Sequence, residues 1–142
     1  MKFNIPEDCH IRWQAALAVL EDLQEDKYAP FAMCRFASHT TLWEKTNGCG
    51  TAACFAGYIS VAPYCMELGY PANDDGYHAD KWLLNRVWHD GETKDELFSA
   101  LFIEQLDQGS RAKTLAFLER RIKKIFKDST GKKLVAPLTF YY

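Results

Sequence analysis

The chain has none of the short signatures that announce the common enzyme classes. It contains no Gly-rich phosphate loop, no Ser nucleophile elbow and no His-Glu-x-x-His helix, which excludes P-loop nucleotide hydrolysis, α/β-hydrolase chemistry and zincin-type proteolysis. No internal repeat is present, so a solenoid or propeller is excluded as well. No apolar run approaches the roughly 18 residues that a membrane span requires. Residues Met1 to Asp8 lack the apolar core of a signal peptide, and the expected location is the cytoplasm of a host cell. Cysteine is sparse: the five at positions 9, 34, 49, 54 and 65 are an odd number with no Cys-x-x-Cys pair, so reduced thiols are expected rather than a disulfide framework.

What the chain does contain is an ordinary globular composition with an uneven charge layout. Its 142 residues suit one domain, and 48% apolar with 25% charged residues suits a soluble core-forming chain. The net charge of -2 hides an asymmetry. Residues 1–110 hold 8 Lys and Arg against 17 Asp and Glu, whereas residues 111–142 hold 9 against 2. A cationic end of this kind can attract an acidic protein or a nucleic acid, or lie against the acidic remainder of its own domain.

The periodicity is helical. Trp13, Ala16, Leu17, Leu20 and Leu23 recur at three and four residues, predicting an amphipathic helix over about 7–26, with Pro6, Glu7 and Asp8 at its start. Residues 28–36 read as extended or irregular, and 38–50 as a loop rich in turn residues. From Thr51 to about Ala62 the chain is apolar nearly all round, which predicts a buried central helix ended or kinked by Pro63 and continuing from Tyr64 to Leu68. The loop at 69–76 is acidic, but its spacing does not fit a calcium loop. A further helix is expected over about 79–89. The next begins at the capping box Thr93-Lys94-Asp95-Glu96, has an apolar face reaching Leu106, and stops at Gly109. Ser110 caps the last helix, whose Leu115, Leu118, Ile122 and Ile125 oppose Lys113, Arg120, Lys124 and Lys127. The apolar tail from Leu134 to Tyr142 is expected to dock on its own domain or to add to a partner as a strand. The expected fold is thus mainly α: a single-domain bundle of five or six helices around a buried central helix, with at most a minor strand pair.

The segment Cys49-Gly50-Thr51-Ala52-Ala53-Cys54-Phe55-Ala56-Gly57 admits three readings. Cys49 could be a nucleophile activated by the following helix N-terminus, with His39 as its base. Asn47-Gly48-Cys49-Gly50 with a second cysteine five residues on resembles the local cysteine motif of ubiquitin-like-protein proteases, a resemblance that implies a thiol hydrolase. Cys49 and Cys54, with Cys34, Cys65 or one of His10, His39, His78 and His89, could instead hold zinc, although paired ligands two to four residues apart are missing. In the third reading the small residues form a packing joint, with Thr51 capping the helix and Cys54 in the core.

Phe31-x-Met33-x-x-Phe36 followed by Cys49-Gly50-Thr51-x-Ala53-Cys54-x-Ala56-Gly57 resembles a pattern that recurs in small bacteriophage and bacterial proteins of unassigned activity. Leu97-Phe98-x-x-Leu101-Phe102 and Arg120-Arg121-Ile122 fit it loosely. The resemblance implies a phage-type accessory protein and carries over no catalytic residue. The leading expectation is a non-enzymatic binder of a host or viral protein, without cofactor, metal or membrane, and with a role in modulating host defence. Nucleic acid is the further alternative, through the basic last helix. The candidate binding residues are Arg120, Arg121, Lys124, Lys127, Tyr141 and Tyr142, and Trp43, Tyr77 and Trp88, which fall outside the helix stripes, are further candidates for a binding face or else complete the core.

Overall fold

The computed structural model describes residues 2–25, 55–71, 78–86, 96–102 and 106–136. Among them every regular element is helical: α1 (His10–Glu25), α2 (Phe55–Val61), α3 (Pro63–Glu67), α4 (Ala79–Leu84), α5 (Glu96–Leu101) and α6 (Arg111–Thr130). The mainly α expectation is met, and no strand occurs among the described residues.

The first helix starts where the sequence signals it. Pro6 supplies a fixed φ and its carbonyl accepts from the Cys9 amide at 2.9 Å, closing a 3-10 turn over Glu7–Cys9 that leads directly into α1. Among the described residues that helix makes contacts with most of the others, and α2 buries Phe55, Ala56, Gly57, Ile59 and Ser60, while Thr51 to Cys54 lie outside the described residues. Helix α1 touches α2, α3, α4 and α6, whereas α2 leaves Val61 58% exposed. The expectation of an amphipathic α1 is corrected for the same reason: Ala15, Ala16, Leu17, Ala18, Val19 and Leu20 are all buried. Six consecutive apolar residues cover more than a full turn, so neighbours must pack on every side there.

Helices α1 and α6 run antiparallel as the longest pair. Arg111 at the start of α6 donates to the Leu23 carbonyl at 2.6 Å, while the Phe3 amide donates to Ser129 Oγ at 2.9 Å at the other end. Between these ends the rings of His10 and Trp13 meet Phe126, with centroids 5.1 and 5.9 Å apart. The Trp13 indole N–H also donates to the Leu83 carbonyl at 2.9 Å, tying α4 to the same side of α1. On another side, Phe55 and Phe98 both pack on Phe102, joining α2 to α5 at centroid distances of 5.3 and 5.7 Å.

Helix ends follow backbone chemistry. Pro63 separates α2 from α3 through an extended Ala62, as the missing amide hydrogen requires. Helix α3 closes in a Schellman pattern: the Tyr70 amide reaches the Cys65 carbonyl at 3.1 Å and Gly69 adopts φ +94. Helix α4 uses the same device with Asn85 at φ 53, and so stops at Leu84 instead of running toward His89. The expectation for α5 is corrected too. It ends at Leu101, and Gly109 belongs to the turn before α6, where its amide donates to Asp107 Oδ1 at 2.7 Å. The capping-box residues Thr93 to Asp95 lie outside the described residues.

Past α6 the chain turns back onto its own domain. Leu134 is buried, Ala136 packs against the core, and Gln14 Nε2 donates to the Val135 carbonyl at 3.0 Å. Residues 137–142 lie outside the described set.

Candidate functional site

The last helix is built to display charge along one side. The Ser110 hydroxyl accepts from the Lys113 amide at 3.2 Å, the expected N-cap, and Gly131 closes the other end at φ +76 with its amide on the Lys127 carbonyl at 2.8 Å. Leu115, Leu118, Ile122 and Ile125 are buried, together with Thr114 and Phe126. Their burial fixes the rotation of the helix. It leaves Lys113, Arg120, Lys124 and Lys127 exposed. At about 100° per residue these four fall within an arc of roughly 60° and extend along roughly 21 Å of helix.

The stripe is mostly uncompensated along the helix itself. Lys124 Nζ stands 3.6 Å from Asp128 Oδ2 and Lys123 Nζ 3.7 Å from Glu119 Oε1, both i,i+4 pairs on the surface. Such exposed pairs contribute about 0.3–0.5 kcal/mol and are broken readily by a better partner. At the N-terminal end, Lys113, Arg120, Ala116 and Phe117 border a cavity of about 420 Å³ with Gln108. Gln108 is held there because its amide donates to Thr114 Oγ1 at 2.9 Å and its side chain to the Leu106 carbonyl at 3.0 Å.

The adjacent arginines differ completely in role. Arg120 faces solvent at the cavity rim. Arg121 is half-buried: its Nε donates to the Ala100 carbonyl at 2.7 Å and its guanidinium lies 5.7 Å from the Phe117 ring centre. Its charge therefore fastens α5 to α6 and satisfies a carbonyl at the end of α5. Sequence spacing grouped Arg121 with the exposed cations, while Lys113, which opposed the apolar stripe without standing among the candidates, belongs to the exposed group.

The other candidates separate cleanly. Cys49, His39, Cys54, Tyr141 and Tyr142 lie outside the described residues, as do Cys34, His89, Trp43, Tyr77 and Trp88. Cys9 and Cys65 are free, fully buried thiols. Burial pushes the Cys65 thiol up to about 12. The Cys9 thiol is also raised, chiefly by burial and slightly by Asp8, with Arg12 opposing. Neither thiol has the anionic character that nucleophilic or ligating chemistry needs. Among the described residues no three His, Cys, Asp or Glu side chains gather as a metal site, and His10 is used in ring packing on Phe126. No helix of the described residues is long and apolar enough to cross a membrane.

No protein family, no curated protein and no solved structure matches this chain.

Proposed function

We propose that this protein is a non-enzymatic binding module whose recognition surface is the exposed face of α6, and that its partner is an acidic surface of another protein. The observation that carries this reading is the alignment of Lys113, Arg120, Lys124 and Lys127 on one solvent-facing stripe of a helix locked in rotation by its buried side. Four cations on a preorganised scaffold attract acidic groups over a distance and fix their register on contact. Glu119 and Asp128, each paired with a lysine of the same helix, place negative charge beside the stripe that a phosphate backbone would have to approach, which favours a protein over a nucleic acid. The resemblance of the cysteine segment to small bacteriophage and bacterial proteins supports a host or viral protein as that partner, with modulation of host defence as the accompanying role.

Two probes test the proposal: a fluorescent helical peptide carrying glutamates at seven-residue spacing, and a 20-base-pair DNA duplex of arbitrary sequence. The expected result is salt-sensitive peptide binding that falls at least tenfold in the triple variant Lys113→Glu, Arg120→Glu, Lys127→Glu. Tight DNA binding without peptide binding establishes the nucleic-acid alternative instead. Peptide binding indifferent to the triple variant removes α6 as the recognition surface.

A further inference from the structure

The α6 stripe supplies charge but little apolar surface, and charge across an interface gives steering and register more than it gives affinity. Apolar side chains stand exposed close by. Among the described residues the large hydrophobic side chains left exposed are Ile11, Val61, Met66 and Val135, and Ile11 and Val135 share one spot. The Gln14 side chain donates to the Val135 carbonyl at 3.0 Å, and Ile11 is the neighbour of Gln14 one turn earlier along α1. Ile11 is 42% exposed and Val135 54%.

The backbone joins this apolar pair to the end of the stripe. The Gly131 amide donates to the Lys127 carbonyl at 2.8 Å, so the last lysine of the stripe adjoins the helix end. The four residues from Gly131 to Val135 span at most about 14 Å. Lys132 and Lys133 occupy that span, both exposed, while the buried Leu134 pins the segment to the core. The Lys132 amide is fixed as well, donating to Thr130 Oγ1 at 3.1 Å. Among the described residues the acidic groups at this end are Asp128, which stands 3.6 Å from Lys124, and Glu7 and Asp8 in the turn before α1. Lysines outnumber them: Lys2, held beside Ser129 through the Phe3 amide, joins Lys124, Lys127, Lys132 and Lys133.

We infer that the partner of α6 is an acidic segment carrying one apolar side chain beyond its acidic run, and that this side chain seats against Val135 and Ile11. Resting on the α6 surface proposed above, the site gives the partner a direction: its carboxylates lie along Lys113 to Lys127, and its apolar anchor lies past Gly131. The lysines form the charged rim and the apolar pair forms the contact from which water leaves on docking. Every cation at this end is a lysine, a point charge on an adjustable stem, which suits single contacts with carboxylates rather than forked recognition of phosphate. Leu134, Gln14 and the Gly131 cap hold the segment in place beforehand, so docking spends little on ordering it.

Three peptides test this against the full chain by fluorescence anisotropy: the helical glutamate peptide described above, and the same peptide with a leucine two turns beyond its first or beyond its last glutamate. The expected result is that one of the leucine peptides binds at least tenfold more tightly than the parent, and that Val135→Ser removes the gain while leaving parent binding unchanged. Ile11→Ser should reduce the gain in the same way, so the outcome does not hang on one variant. Parent binding with no gain from either leucine overturns the apolar anchor and leaves the α6 surface standing. A gain indifferent to both Val135→Ser and Ile11→Ser does the same. Failure of all three peptides to bind removes the α6 surface, and this anchor with it.

Discussion

Replacing each of two neighbouring arginines by alanine should separate folding from recognition. Arg121→Ala removes a charged donor from the Ala100 carbonyl, 2.7 Å away, and a cation from the face of Phe117. A hydrogen bond to a charged donor contributes about 1.5–3 kcal/mol, and this half-buried one belongs near the lower end. The ring contact adds about 0.5–1 kcal/mol. The expected loss is about 2 kcal/mol, read as a lower urea midpoint and a Tm drop of roughly 6–8 °C. Arg120→Ala removes no packing contact of this kind and should stay within about 0.5 kcal/mol of wild type. Binding of the acidic peptide should follow the reverse order, weakened by Arg120→Ala and preserved, below the unfolding temperature, by Arg121→Ala. Equal stability of the two variants would falsify the assignment of Arg121 to the α5–α6 joint. Equal binding loss would show that both side chains face the partner.

Two further outcomes follow from local chemistry. Because the Cys65 thiol is raised to about 12 in the folded chain from an ordinary value near 9, the unfolded state loses its proton first as pH rises. Stability should therefore be unaffected below about pH 9 and fall by roughly 1 kcal/mol per pH unit from there toward 12. Urea unfolding of wild type and Cys65→Ala at pH 7 to 10.5 checks this, and parallel alkaline slopes in the two proteins refute it. At Gly131 a Cβ would meet nothing within 4 Å, so Gly131→Ala is penalised by its φ of +76 alone. The expected cost is about 1 kcal/mol, with less for Gly131→Asn. A stabilised alanine variant in thermal melts would contradict the cap assignment.

The sequence by itself determined the helical character of the chain, the α1 start after Pro6, the break at Pro63 and the start of α6 at Ser110. It also determined the buried stripe of α6, because a 3.6-residue period dictates which side chains share a face. The all-round burial of α1 was legible too, in the unbroken run from Ala15 to Leu20, but the more obvious three-and-four spacing concealed it. Other features became fixed only in three dimensions. The stop of α4 depends on Asn85 entering the left-handed region, a conformation that asparagine tolerates without requiring. The different fates of Arg120 and Arg121 depend on where the Ala100 carbonyl arrives, which no local pattern encodes. Likewise Gln14 and Val135 stand 121 positions apart in the chain, and only the return of the chain past α6 onto α1 brings them together. Periodicity specifies a face, whereas the partner that a face meets is chosen by the packing of the whole chain.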